Sequence, residues 1–145
     1  MKPGIEFKII WADFDVTELR VCASNGRFGG TVDAYVQHTA LGEFAAVLSG
    51  FPSSALDHRA RRFGSFEPTR AGGGATLDFR CNDAAGHAIV EVRLRSDPQN
   101  LYGHEETATL VINVEASAID AFVVEVSNMG AQVGAKAFLP ATEGI

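Results

Sequence analysis

Four histidines, two cysteines and eight serines are the side chains of this sequence best suited to nucleophilic or metal chemistry. His38, His58, His87 and His104 show no HxxxH, HExxH or Cys/His spacing of the kind that holds zinc. Cys22 and Cys81 lack a CxxC spacing and read as reduced thiols acting as small buried hydrophobes. No serine stands in a G-x-S-x-G context. Ser53-Ser54 with Asp57-His58 has the residue types of a hydrolytic site, yet these lie so close along the chain that a polar loop explains them better. Asp13 and Asp15 could do acid–base work if their surroundings split their pKa values. Their spacing points more simply to a solvated strand edge, where charge discourages pairing with other strands. Gly72-Gly73-Gly74 has neither the Lys-Ser/Thr nor the following helix of a phosphate cradle, and reads as a flexible approach to a strand. Asn82 to Gly86 lacks the ligand pattern of a calcium loop and reads as a hairpin turn. No catalytic residue, metal site or cofactor is expected from these patterns.

Charge carries more information. The chain has 12 Lys plus Arg against 18 Asp plus Glu, a net of −6. Such a chain is a poor ligand for nucleic acid or an anionic membrane, both of which need a basic surface. From Ser96 to Ala135 there is no Lys or Arg, but Asp97, Glu105, Glu106, Glu115, Asp120 and Glu125 are all present. These six are the candidate surface for a basic protein partner, since complementary charge raises association rate and selectivity. The bland alternative is a set of solvated faces. A rival reading places a small ligand in a pocket between sheet and helices, with His38, Arg80 and His87 as contributors. A third is an oligomer-forming module with a self-complementary apolar patch.

These residues must be positioned by strands and helices that the spacing of apolar residues defines. Thr76 to Cys81 alternates, with Leu77, Phe79 and Cys81 on one face. After the turn, Ala88, Val90, Val92 and Leu94 share a face. This hairpin sets Phe79 opposite Val90, Leu77 opposite Val92, and Asp78 opposite Glu91. A third strand covers Thr107 to Glu115, with Leu110, Ile112 and Val114 inward. A helix follows, with Ser117 and Asp120 as a capping box and a stripe of Ile119, Phe122, Val123, Val126 and Met129 ending at Gly130. The first half reads alike: strands Ile5–Trp11, Phe14–Ser24 and Phe28–Val36 with an Asn25-Gly26 turn, then a helix capped by Thr39 with Leu41, Phe44, Ala45 and Leu48 as its stripe. A 78-residue shift superposes Thr39 on Ser117, Leu41 on Ile119, Phe44 on Phe122 and Leu48 on Val126. That suggests a duplicated β-β-β-α plan. Residues 52–75 read as loose, with a short strand around Phe63 to Phe66.

The expected architecture is one α+β domain over residues 1–145, in which antiparallel meanders carry two helices packed on one side and residues 131–145 form a C-terminal tail. At 145 residues the chain is long enough to bury a sizeable core without disulfides or metals. No apolar run approaches the ~20 residues that span a bilayer. The start, Met1 to Lys8, mixes charges and is unlike a secretory signal, so a cytoplasmic location is expected. Nine of the 12 basic residues are Arg, and Ala and Gly are abundant, a usage typical of GC-rich bacterial genomes.

Leu41 to Leu48, followed by a loop and then Leu77 to Val92 with its Asp83-x-x-Gly86-His87 turn, resembles a group of small bacterial domains of unknown function. It is also similar to WapI-type immunity proteins, which neutralise contact-delivered toxins. The resemblance covers about residues 14 to 129. It implies a non-enzymatic protein-binding module of immunity type, and it implies no catalytic residue.

Overall fold

The computed structural model describes residues 1–99 and 103–143. Eight strands and two helices follow one another as β1 Gly4–Ala12, β2 Val16–Ser24, β3 Gly29–Gln37, α1 Ala40–Leu48, β4 His58–Gly64, β5 Gly74–Cys81, β6 His87–Arg95, β7 Thr107–Glu115, α2 Ala116–Ser127 and β8 Lys136–Pro140. The strands form where apolar residues alternate: Thr17, Leu19, Val21 and Ala23 of β2 point inward, as do Leu110, Ile112 and Val114 of β7. The middle hairpin has the register its side chains require, with Leu77 opposite Val92, Asp78 opposite Glu91 and Phe79 opposite Val90. The like-charge pair is relieved from both sides, by His58 on Asp78 and Arg80 near Glu91.

Two antiparallel four-stranded sheets result, ordered β3-β2-β1-β8 and β4-β5-β6-β7. Each half of the chain is therefore β-β-β-α-β, and each gives its last strand to the other half's sheet. Registers match across the halves. Ile5 lies opposite Ala23 and Leu139, while Ala75 lies opposite Leu94 and Phe63. Phe7 lies opposite Val21 and Ala137, while Leu77 lies opposite Val92 and Arg61. The duplicated plan read from the helices thus extends to every strand. It also reaches two strands whose sequence hides them.

Those two strands correct the sequence reading. Residues 131–145 are not simply a tail, because Lys136–Pro140 forms β8 beside β1; residues 144 and 145 lie outside the described residues. The segment around Phe63 is the strand His58–Gly64. Its alternation was masked because Arg59 and Arg61 occupy inward-side positions together with Phe63, an arrangement open to a side chain with an apolar stem and a charged head. Arg59 donates to the carbonyls of Val47 and Ser49 at the end of α1, at 2.9 and 2.8 Å. Arg61 reaches Glu43 at 2.7 Å.

Helix starts differ as well. β7 runs straight into α2, so Glu115 is the cap residue and Ser117 lies inside the helix; the capping box does not form. The first helical amide, that of Ala116, is satisfied instead by the carbonyl of Gly86 at 2.9 Å. Thr39 does cap α1, but its hydroxyl donates to Glu43 and does not accept a helix N–H.

Both helices and both sheets meet in one buried cluster. Phe44 and Phe122, equivalent positions on the helix stripes, lie 6.2 Å apart at its centre. Phe7 packs on them at 5.7 and 5.2 Å, and Phe63 lies 5.3 Å from both Phe7 and Phe44. Each such ring pair contributes about 0.5–1.5 kcal/mol beyond its burial.

Candidate functional site

The space between sheets and helices is where a ligand with His38, Arg80 and His87 would have to sit. Phe7, Phe44, Phe79 and Phe122 fill that space, each no more than 1% exposed. The three expected contributors do not converge. Arg80 lies on the outer face of β5, 3.9 Å from Glu91. His87 opens β6 with its Nδ1 2.6 Å from Asp83, a hydrogen bond that holds its pKa above the usual imidazole value. His38 follows β3, and its buried Nε2 has no partner among the described residues. Hydrophobic packing fills the volume between sheets and helices, and the three residues do not share a site there.

The other reactive candidates dissolve in the same way. Ser53 donates its hydroxyl to Asp57 at 3.0 Å, and Asp57 is clamped by Arg59 at 2.7 Å, which holds its carboxyl far below the usual range. His58 faces away from them, toward Asp78 at 2.6 Å. Asp13 is not at a strand edge. Its Oδ1 accepts the N–H groups of Asp15 and Val16, both at 2.8 Å, closing the β1–β2 turn and lowering its pKa. Both cysteines are free and half-buried. Among the described residues no three His, Cys, Asp or Glu side chains are placed to hold a metal ion. Among the described residues no helix is long and apolar enough to cross a membrane.

The six acidic residues separate into two groups at opposite ends of β7. Asp97, Glu105 and Glu106 belong to the β6–β7 connection. Two of them serve the fold: Glu105 pairs with buried Arg95 at 2.8 Å, and Asp97 accepts the Gly72 N–H at 3.0 Å. Glu115, Asp120 and Glu125 lie at the start of α2 and along it. Glu115 is 3.7 Å from His87, and Glu125 accepts the Phe138 N–H at 2.8 Å. No cation among the described residues pairs with Asp120 or Glu125. α1 packs beside α2, and neither helix contains Lys or Arg. The outward sides of the pair expose Ala46, Val47, Ala121 and Val124 beside these acids.

Comparison of the chain with protein-family models, with curated proteins and with solved structures returns no match. Its own repeat is therefore the informative reference. Where the strand exchange brings β4, β5 and β3 together, the connection Ser65–Gly73 fills the corner. Gly73 donates to the Asp33 carbonyl of β3 at 2.8 Å, and Arg95 donates from beneath to the carbonyl of Ser65 at 3.0 Å. The equivalent corner gathers β8, β1 and β7. There, Thr142 donates to the Asn113 carbonyl of β7 at 2.7 Å, and the described residues line a cleft of about 500 Å³. Sequence reasoning missed this cleft. Its lining comes from residues 2, 3, 25, 27, 111–113, 138 and 140–143, which are distant in the chain, and no spacing rule connects them.

Proposed function

We propose that this chain is a non-catalytic protein-binding module that docks a basic partner on its helix layer. The observation that carries this reading is the outer face of α1 and α2. Val47 is 40% and Val124 59% exposed, Ala46 and Ala121 are exposed as well, and neither helix contains Lys or Arg. Exposed apolar residues on helices whose only charges are acidic suit a partner that offers apolar residues together with Lys and Arg. Asp120 and Glu125 supply the attraction that steers such a partner. Glu115 extends it at the start of α2. The dispersal of the candidate nucleophiles and acid–base groups supports binding over catalysis.

The resemblance to immunity proteins makes a toxin domain the class of partner to test, and a cytoplasmic bacterial setting would suit that role. The experiment tests this chain against the proteins encoded beside its gene, a basic toxin domain being the expected partner. Calorimetry at low and high salt is expected to show a complex that weakens about tenfold as added salt shortens the Debye length. D120K is expected to weaken the complex further. An affinity unchanged by that charge reversal, or no association at low ionic strength, overturns the reading.

A further inference from the structure

The open corner is a cavity that neither the fold nor the proposed helix interface uses. Its lining combines an apolar side, from Val111 on β7 and Phe138 and Pro140 on β8, with the polar side chains of Asn25, Asn113 and Thr142. Its rim carries Lys2 and Arg27 against one acid, Glu143. This local excess of positive charge stands out in a chain of net charge −6. Among the described residues no ion pair occupies either cation. The Lys2 ammonium lies 5.2 Å above the Phe138 ring centroid, which holds it over the apolar wall. Asn25 is anchored to the Val111 carbonyl at 3.1 Å, so the turn that bears Arg27 is tied to the cleft. At about 500 Å³ the cleft falls within the ~300–1,000 Å³ that small-molecule sites occupy.

We propose that this cleft binds a small organic anion, with an apolar or aromatic body against Val111, Phe138 and Pro140 and its carboxylate between Lys2 and Arg27. An anion is favoured over a neutral molecule because both rim cations keep their charge free for it. It is favoured over a cation because a single exposed carboxylate, Glu143, faces two positive groups. An apolar body suits the side formed by Val111, Phe138 and Pro140, where an unpaired polar group would be unfavourable.

Anilinonaphthalene sulfonate is the probe, with uncharged N-phenyl-1-naphthylamine as its control. The intact chain is expected to bind the sulfonate saturably at one site and release it to 4-phenylbutyrate. K2E/R27E, whose changes are both at exposed positions, is expected to weaken sulfonate binding about tenfold and leave the neutral probe unaffected. T142W should block both probes by filling the cleft, with circular dichroism confirming that the variants stay folded. Sulfonate binding that survives both variants, or equal loss of both probes in K2E/R27E, overturns the proposal, as does the absence of saturable binding. No partner complex of the unaltered chain at low ionic strength, with intact probe binding, would overturn the helix-layer reading alone.

Discussion

The two corners where strands cross between halves begin from equivalent residues and end differently. Gly74 faces Arg95 at the closed corner, and Gly4 faces Ser24 at the open one. Arg95 is 1% exposed and reaches Glu105 and the Ser65 carbonyl. Ser24 accepts only the local Gly26 N–H. The closed corner is thus a locked joint in which one buried guanidinium ties a loop to a strand. The open corner keeps the same backbone crossing without the lock. The repeat supplies the framework, and the side chain opposite the glycine, Arg95 or Ser24, differs between the two corners.

The largest expected effect breaks the lock. Arg95→Ala removes a buried side chain and leaves the Ser65 carbonyl without its donor, costing about 3 kcal/mol in urea unfolding. Ser24→Ala, at the matching place, should cost less than about 0.5 kcal/mol. Equal losses at the two sites would show that the corners are equally built.

The next prediction tests what the corners share. A Cβ on Gly4 would lie 2.3 Å from the Leu139 carbonyl oxygen, and one on Gly74 would lie 2.5 Å from that of Ser65. Both contacts are with backbone, so neither can swing away. Gly4→Ala and Gly74→Ala should each cost about 2 kcal/mol, the scale of a substitution that forces backbone to shift. A large cost at only one of them would break the equivalence.

The smallest effect concerns the two hairpin turns that close β1–β2 and β5–β6. Asp13 and Asp83 play the same part, each accepting two turn amides. Asp83 also holds His87, whose hydrogen bond lowers the Asp83 pKa as the imidazole pKa rises. The raised imidazole contributes stability that is present below its unfolded pKa and lost as pH rises through its folded one. The lowered carboxylate contributes stability that is present above its unfolded pKa and lost as pH falls through its folded one. The pair therefore acts between the ordinary carboxylate and imidazole values. Both groups are solvated, so the readout is a proton NMR titration of His87. Its midpoint should lie above the usual imidazole value and fall toward it in D83N. An unchanged midpoint would remove this difference between the turns.

The sequence by itself determined the strands with clean alternation, the helix stripes and the register of the middle hairpin. In each of those segments one face meets the core, so burial writes its period directly into the residues. Leu77, Phe79, Val90 and Val92 show this plainly, as does the match of Phe44 with Phe122. β4 was obscured because Arg59 and Arg61 take inward positions on the strength of partners in α1, at the end of that helix and within it. β8 was obscured because its few residues alternate too briefly to stand out. Only the tertiary structure decided that these two strands change places, that Phe side chains fill the presumed pocket, and that the six acids divide into two groups. It also created the open cleft. Those outcomes depend on contacts between residues far apart in the chain, and local periodicity carries no record of which distant segments will meet.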